Sequence, residues 1–147
     1  MRDFKNIKTW QLADDLAVAV YGKTKSFPRE EVYSLTAQLR RAAVSIPTNI
    51  SEGAYREHKR EYLHFLFIAR GSLGETRYLI HLANRLGYPS KDNYEELVLL
   101  GEETSKTLHG LISSVKKETH FVSQIVALIT SALAIYGIKM FGFKSVV

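Results

Sequence analysis

Four long segments of the chain repeat apolar residues at three- and four-residue spacing, and no other feature constrains the fold as strongly. They cover about residues 4–25, 31–53, 59–86 and 91–117. Ser26-Phe27-Pro28 and Gly87-Tyr88-Pro89-Ser90 interrupt the pattern, as proline and glycine do at helix ends. Short connections favour antiparallel neighbours. The spacing therefore predicts an all-α fold, an antiparallel up-down-up-down four-helix bundle with an apolar C-terminal extension.

The second segment contains two residues that disturb helices. Pro47 lies inside it and lacks a backbone donor, so we expect a kink or local loosening there without a full stop. Gly53 lies at its end and is interpreted as the C-terminal cap.

The third segment is apolar around most of its circumference. A helix of this kind must be buried on more than one side, whereas a four-helix bundle offers each helix one core face. The excess apolar surface predicts an oligomer. The alternative is a central helix inside one larger core. The candidate interface residues are Phe65, Phe67, Ile68, Gly71 and Tyr78.

The composition changes after residue 117, so we divide the chain into a bundle at 1–117 and an apolar extension at 118–147. Residues 121–143 carry one charge and are about as long as a bilayer span. Ser123, Gln124, Thr130, Ser131 and Lys139 make this a poor hydrocarbon segment. Three interpretations remain open: an extra helix packed on the bundle or on a neighbouring subunit, a membrane anchor, or an accidental extension.

The bulk composition excludes several classes of protein. The 147 residues suggest one domain, and the absence of cysteine removes thiolate chemistry and disulfides. No apolar stretch follows the N-terminal methionine as in a signal peptide, so we expect a cytoplasmic protein. The formal charge of +5 permits phosphate binding without requiring it.

No catalytic constellation is present in the sequence, and we expect neither enzymatic activity, nor a metal, nor a cofactor. Glu61 and His64 match the Glu-x-x-His spacing of di-iron bundles, but such a site needs a second copy of the motif, which only an oligomer could supply. A His64 exposed to solvent or facing a subunit is the simpler interpretation.

Basic residues recur on the second and third segments. For Arg40 and Arg41, pairing with a carboxylate such as Glu52 is slightly favoured over RNA contact. We expect a second cluster of cations to be exposed, and it is equally consistent with contact to nucleic acid and with an ordinary solvated turn. Its members are Arg56, Lys59 and Arg60. Arg70, Arg77 and Arg85 recur every seven or eight residues, so they lie along one line that could face phosphates.

Two long motifs resemble the bacterial four helix bundle proteins, which are encoded by intervening sequences of 23S ribosomal RNA genes. The first runs from Phe27 to Leu35 and continues from Gln38 to Gly53. The second is the third-segment run from Tyr62 to Thr76. The resemblance covers about residues 4–117 and is supported by Trp10 in the alanine-rich first segment. Family members usually end near residue 117, so the apolar tail departs from the pattern.

The resemblance implies an antiparallel bundle that forms a ring, typically a homopentamer, with no known enzymatic activity. The family is similar to the accessory variability protein of diversity-generating retroelements, a basic pentamer that binds a reverse transcriptase and nucleic acid. By that similarity, a set of basic residues becomes the candidate contact surface for RNA or a partner. The set is Arg40, Arg41, Arg56, Lys59, Arg60, Arg70 and Arg77.

We therefore expect a non-enzymatic homo-oligomeric scaffold that binds RNA or a nucleic-acid-processing protein through a basic surface. One alternative is a purely structural protein-protein interaction module, in which the positive charge only aids solubility. Another is a bundle tethered to a membrane by residues 121–143.

Overall fold

The fold of the chain is all-helical in the part that the structure describes. The computed structural model describes residues 3–135, without the side chains of residues 119–123, 134 and 135. Four α-helices follow one another: α1 (Lys8–Lys23), α2 (Leu35–Ala54), α3 (Lys59–Arg85) and α4 (Lys91–Ile135). Short 3-10 helices at Phe4–Asn6, Thr24–Ser26 and Arg29–Glu31 complete this part of the chain, which contains no strand. The all-α prediction is confirmed.

The first two helices are shorter than their apolar patterns indicated. Ile7 has an extended backbone and separates the first 3-10 turn from α1. The second helix begins at Leu35 rather than near residue 31, because Ser34 adopts a non-helical backbone with φ −115° and ψ −114°. The residues from 31 to 34 thus belong to a 3-10 helix and a turn before α2, in which Val32 and Tyr33 are exposed.

Helix α2 continues through Pro47, as expected, and Pro47 is buried. The C-terminal cap of α2 is Tyr55, so the prediction that Gly53 caps this helix is wrong. Gly53 lies inside the last turn, where a Cβ atom would lie 2.8 Å from Cβ of Phe65 and 2.9 Å from Cδ2 of Tyr62. Its missing side chain lets the end of α2 approach the start of α3.

Helix α4 does not end near Lys117, where its apolar pattern predicted an end. It runs on to Ile135, and neither proline nor glycine occurs between these residues to stop it. Residues 118–135 are therefore a continuation of α4 and not a separate fifth helix. The side chains of residues 124–132 are exposed.

No helix within residues 3–135 combines the length and the hydropathy that crossing a bilayer requires. The part of the apolar tail after Ile135 lies outside the described residues.

The core forms where each helix packs against two others. Helix α1 packs against α2 and α4, and α3 packs against the same two helices. Lys23 near the end of α1 lies 2.7 Å from Glu96 near the start of α4. Between α2 and α3, the hydroxyls of Ser45 and Ser72 are 2.9 Å apart. Fully buried aliphatic side chains from every helix fill the interior, among them Leu16, Leu39, Ile46, Leu66 and Leu108.

A carboxylate ties the turn before α2 to the turn before α4. Oε1 of Glu31 accepts a 2.9 Å hydrogen bond from the Tyr88 hydroxyl, and Oε2 accepts one of 3.1 Å from the Leu35 backbone N–H. The bond from Tyr88, followed by that from Leu35, holds the pKa of Glu31 below its usual value of 4.5. The same bond raises the pKa of Tyr88.

This carboxylate predicts a stability change in mild acid. Because the pKa of Glu31 is lower in the folded chain than in the unfolded one, its stabilisation is complete above the unfolded value and is lost as pH falls through the folded value. Between about pH 5 and pH 3 the melting temperature of the wild type should fall more steeply than that of Glu31→Gln. Thermal melts across this range test it, with Glu30→Gln as the matched control. Parallel curves for the wild type and Glu31→Gln would contradict the prediction.

Candidate nucleic-acid interface

Two cations from different helices lie over one aromatic ring on the face shared by α3 and α4. The guanidinium carbon of Arg70 is 4.9 Å from the centroid of the Phe67 ring, and the Lys116 ammonium is 5.1 Å from the same centroid. Phe67 is half-buried, whereas Arg70 and Lys116 are exposed. The ring thus holds two charges in place through cation–π attraction while leaving them accessible to solvent.

Arg77 extends this surface along α3. It is seven residues after Arg70, so the two side chains share one face and their Cα atoms are separated by about 10 Å along the helix. Cγ of Arg77 would lie 3.4 Å from a Cβ atom on Gly101, so the aliphatic stem of Arg77 packs over the bare backbone of α4. We call Phe67, Arg70, Arg77 and Lys116 the basic face.

The basic face carries unneutralised charge. Within residues 3–135 the ion pairs join Lys23 to Glu96, Arg56 to Glu52, Lys59 to Glu118 and Lys91 to Glu95. None of them includes a cation of the basic face. Because these cations have no carboxylate partner in the described part of the chain, and two of them are held over the Phe67 ring, they are well placed to attract phosphate.

The cluster at the start of α3 is different. Lys59 lies 2.7 Å from Glu118, and Arg56 pairs with Glu52 while its guanidinium lies 4.8 Å from the centroid of the Phe65 ring. Arg60 is exposed and belongs to none of the ion pairs described above. The positive charges of two of the three cations are therefore already neutralised by carboxylates of the same chain.

The prediction that Arg40 pairs with a carboxylate such as Glu52 is wrong. Nε of Arg40 donates a 2.8 Å hydrogen bond to Thr24, and its guanidinium lies over the Tyr21 ring at 4.9 Å. Glu52 is twelve residues further along α2, about 18 Å away along the helix, and pairs with Arg56 instead. Arg40 thus fastens α2 to the end of α1.

Two clefts border α3, and they differ in charge. One, of about 340 Å³, lies between α2 and α3 and has both Arg41 and Glu75 in its wall. The other, of about 310 Å³, lies between α3 and α4, with Ile80, Leu97 and Val98 as apolar lining beside Arg77 and His81. Tyr78 and Tyr94 also border this second cleft, which has no carboxylate in its wall.

The candidate interface residues of α3 separate into two groups. Phe65 and Phe67 are half-buried within their own chain. Arg56, in the connection between α2 and α3, covers the Phe65 ring, and cations of α3 and α4 cover the Phe67 ring. Ile68, Gly71 and Tyr78 are exposed, and nothing lies within 4 Å of a Cβ atom placed on Gly71. The role of all five in an oligomer stays a prediction.

Within the described residues, no three His, Asp or Glu side chains are grouped so that they could hold a metal ion. Glu61 and His64 are both exposed on the outer side of α3.

Sequence reasoning missed Lys116 as a site residue. Lys116 lies at the end of the fourth apolar segment, where a cation is already accounted for by a favourable interaction with the C-terminal end of a helix. The pairing of α3 with α4 brings it to Phe67, and no local sequence pattern reports that pairing.

The fold and this face define a class: an all-helical protein with a positively charged surface spanning two neighbouring helices. The chain belongs to the 23S rRNA-intervening sequence protein family, whose sequence profile matches residues 5–110. The resemblance noted from the sequence motifs is thereby confirmed.

The fold resembles that of a solved structure. It is the 1.70 Å crystal structure of a protein with unknown function from the S23 ribosomal protein family of Bacteroides thetaiotaomicron VPI-5482. The two chains are 24% identical with a TM-score of 0.66, and the match covers 71% of this chain and 95% of the other. No curated protein matches this chain significantly.

Proposed function

We propose that this protein is a non-enzymatic, homo-oligomeric scaffold, built as an antiparallel four-helix bundle, that binds RNA through its basic face. The observation that carries the proposal is the pair of cations, Arg70 and Lys116, held over the Phe67 ring without a carboxylate partner in the described part of the chain. Side chains held in place lose less conformational entropy on binding than mobile ones, so their contacts with phosphate are worth more.

The bundle arrangement is supported by the contacts between helix ends. Lys23 at the end of α1 meets Glu96 at the start of α4, and Lys59 at the start of α3 meets Glu118 late in α4. Contacts of this kind are those of neighbouring helices that run in opposite directions.

Assembly with other copies is supported by apolar surface that the chain itself leaves uncovered. Ile68 is 39% exposed on α3, and Leu128 is 68% exposed on α4. Light scattering after size exclusion tests this part of the proposal. A mass of several chains supports it, and a monomer would overturn it without bearing on RNA binding.

The RNA-binding part predicts a large effect of two charge reversals on the basic face. The variant Arg70→Glu/Lys116→Glu should bind a short fluorescein-labelled single-stranded RNA at least about tenfold more weakly than the wild type at low salt. Its slope of log affinity against log salt should also be shallower by about 1.4, because two phosphate contacts with a single strand are lost. Fluorescence anisotropy over a salt series measures both quantities.

A matched control separates the basic face from net charge. Lys25→Glu/Arg29→Glu reverses two exposed cations near the connection between α1 and α2. Each reversal lowers the net charge by two, so both double variants fall from +5 to +1. If RNA affinity falls equally in the two variants, the loss is explained by net charge alone and the basic face has no special role. A wild-type protein that does not bind RNA at low salt would favour a purely structural interaction module.

A further inference from the structure

The cleft between α3 and α4 lies at one end of the basic face, and Arg77 belongs to both. Its volume of about 310 Å³ is at the lower end of the range for ligand sites, which suits a single ring system better than a folded peptide. The cleft combines an apolar lining with aromatic side chains, since Tyr78 and Tyr94 border it alongside Ile80, Leu97 and Val98.

The tyrosine hydroxyls at this cleft make no hydrogen bonds within the described residues. Tyr78 and Tyr94 make no hydrogen bond through their hydroxyls to any other residue between 3 and 135, although Tyr88 a short distance away does. Together with Arg77 and His81, these groups offer donors and acceptors around an apolar slot. Unpaired bases are recognised in this way, through stacking on aromatic side chains and hydrogen bonds to the base edges.

The charge of the wall distinguishes this cleft from the one between α2 and α3. There, Glu75 accepts a 3.3 Å hydrogen bond from Gln38, and the Ser45 and Ser72 hydroxyls bond to each other. The Glu75 carboxylate in that wall would repel phosphate and offset the attraction of Arg41. The cleft between α3 and α4 has Arg77 and His81 in its wall and no carboxylate.

We infer that the cleft between α3 and α4 takes one unpaired nucleobase of a single-stranded or looped RNA, with the adjoining phosphates lying against Arg77 and Arg70. This inference rests on the proposed function and narrows it. A base within a duplex is stacked and paired, so it cannot enter a cleft between two helices. The ligand is therefore single-stranded RNA.

The test compares RNA strands that share a backbone but differ in their bases. The full-length protein is titrated with a fluorescein-labelled oligouridylate, with an abasic strand of the same length and with a duplex of the same length. The oligouridylate should bind about tenfold more tightly than the abasic strand, because stacking of a base on an aromatic ring supplies that much affinity. It should also bind more tightly than the duplex.

Two variants then locate the base. Tyr78→Ala removes a stacking surface, and Val98→Phe fills the cleft from its lining; each should abolish the preference for the oligouridylate while leaving affinity for the abasic strand unchanged. Tyr33→Ala is the control, since Tyr33 is 95% exposed and does not border the cleft. It should keep the full preference.

The outcomes separate the two proposals. Equal affinity for the intact and abasic strands overturns the base site and leaves phosphate binding by the basic face intact. Tighter binding of the duplex than of the oligouridylate also overturns the base site. The base site is likewise overturned if Tyr78→Ala and Val98→Phe both keep the full preference for the oligouridylate over the abasic strand. Failure of every strand to bind at low salt overturns the proposed function itself.

Discussion

Replacing Gly53 with alanine is expected to destabilise the fold by about 2 kcal/mol, although a single methyl group is added. The new Cβ atom would lie 2.8 Å from Cβ of Phe65 and 2.9 Å from Cδ2 of Tyr62. The Cβ atom of Phe65 is fixed to the backbone of α3, and Tyr62 is 1% exposed, so neither can swing away. Relief requires the two helices to separate at this point.

The matched control is Gly22→Ala in α1. Nothing lies within 4 Å of a Cβ atom on Gly22, and alanine is the better helix former by about 0.8–1 kcal/mol. Urea denaturation of both variants measures the two effects, which should have opposite signs. A Gly53→Ala variant as stable as the wild type would mean that α2 and α3 do not approach as closely in solution.

Truncating Leu66 to alanine should cost between about 2 and 5 kcal/mol, because it leaves a cavity among fully buried side chains. Ile68, two residues later on α3, is 39% exposed, so the same truncation there should cost less than about 1 kcal/mol in an isolated chain. Denaturant unfolding followed by circular dichroism gives both values.

The comparison also reports on assembly. If another copy covers Ile68, Ile68→Ala removes contacts between subunits, and its cost then depends on protein concentration. A cost that is small and independent of concentration places Ile68 on a free surface. A small cost for Leu66→Ala would contradict the position of α3 in the core.

The apolar periodicity predicted the number of long helices and the starts of α3 at Lys59 and α4 at Lys91. It misplaced the start of α2, because Val32 continues the three- and four-residue spacing of Leu35 and Leu39 without being part of the helix. Glu31 accepts the Leu35 N–H from outside the helix. It also misplaced the end of α4, since the change in composition after Lys117 does not interrupt helix formation.

The candidate site was only partly predictable, for a physical reason. Arg70 and Arg77 share a face because they are seven residues apart on one helix, which spacing alone reveals. The position of Lys116 over Phe67 depends on how α4 is aligned against α3. The pairing of Lys59 with Glu118, which neutralises a predicted RNA contact, depends on the same alignment.

The two parts of helix α4 are held in place by different interactions and therefore differ in stability. Up to Val115 it contributes Leu97, Leu108, Ile112 and Val115 to the buried core, so opening it there requires much of the fold to open as well. The side chains of residues 124–132 are exposed, and the backbone of that stretch is held mainly by its own hydrogen bonds. A continuous helix can thus unfold in two independent steps, and a boundary between cooperative units falls inside α4 rather than at a loop.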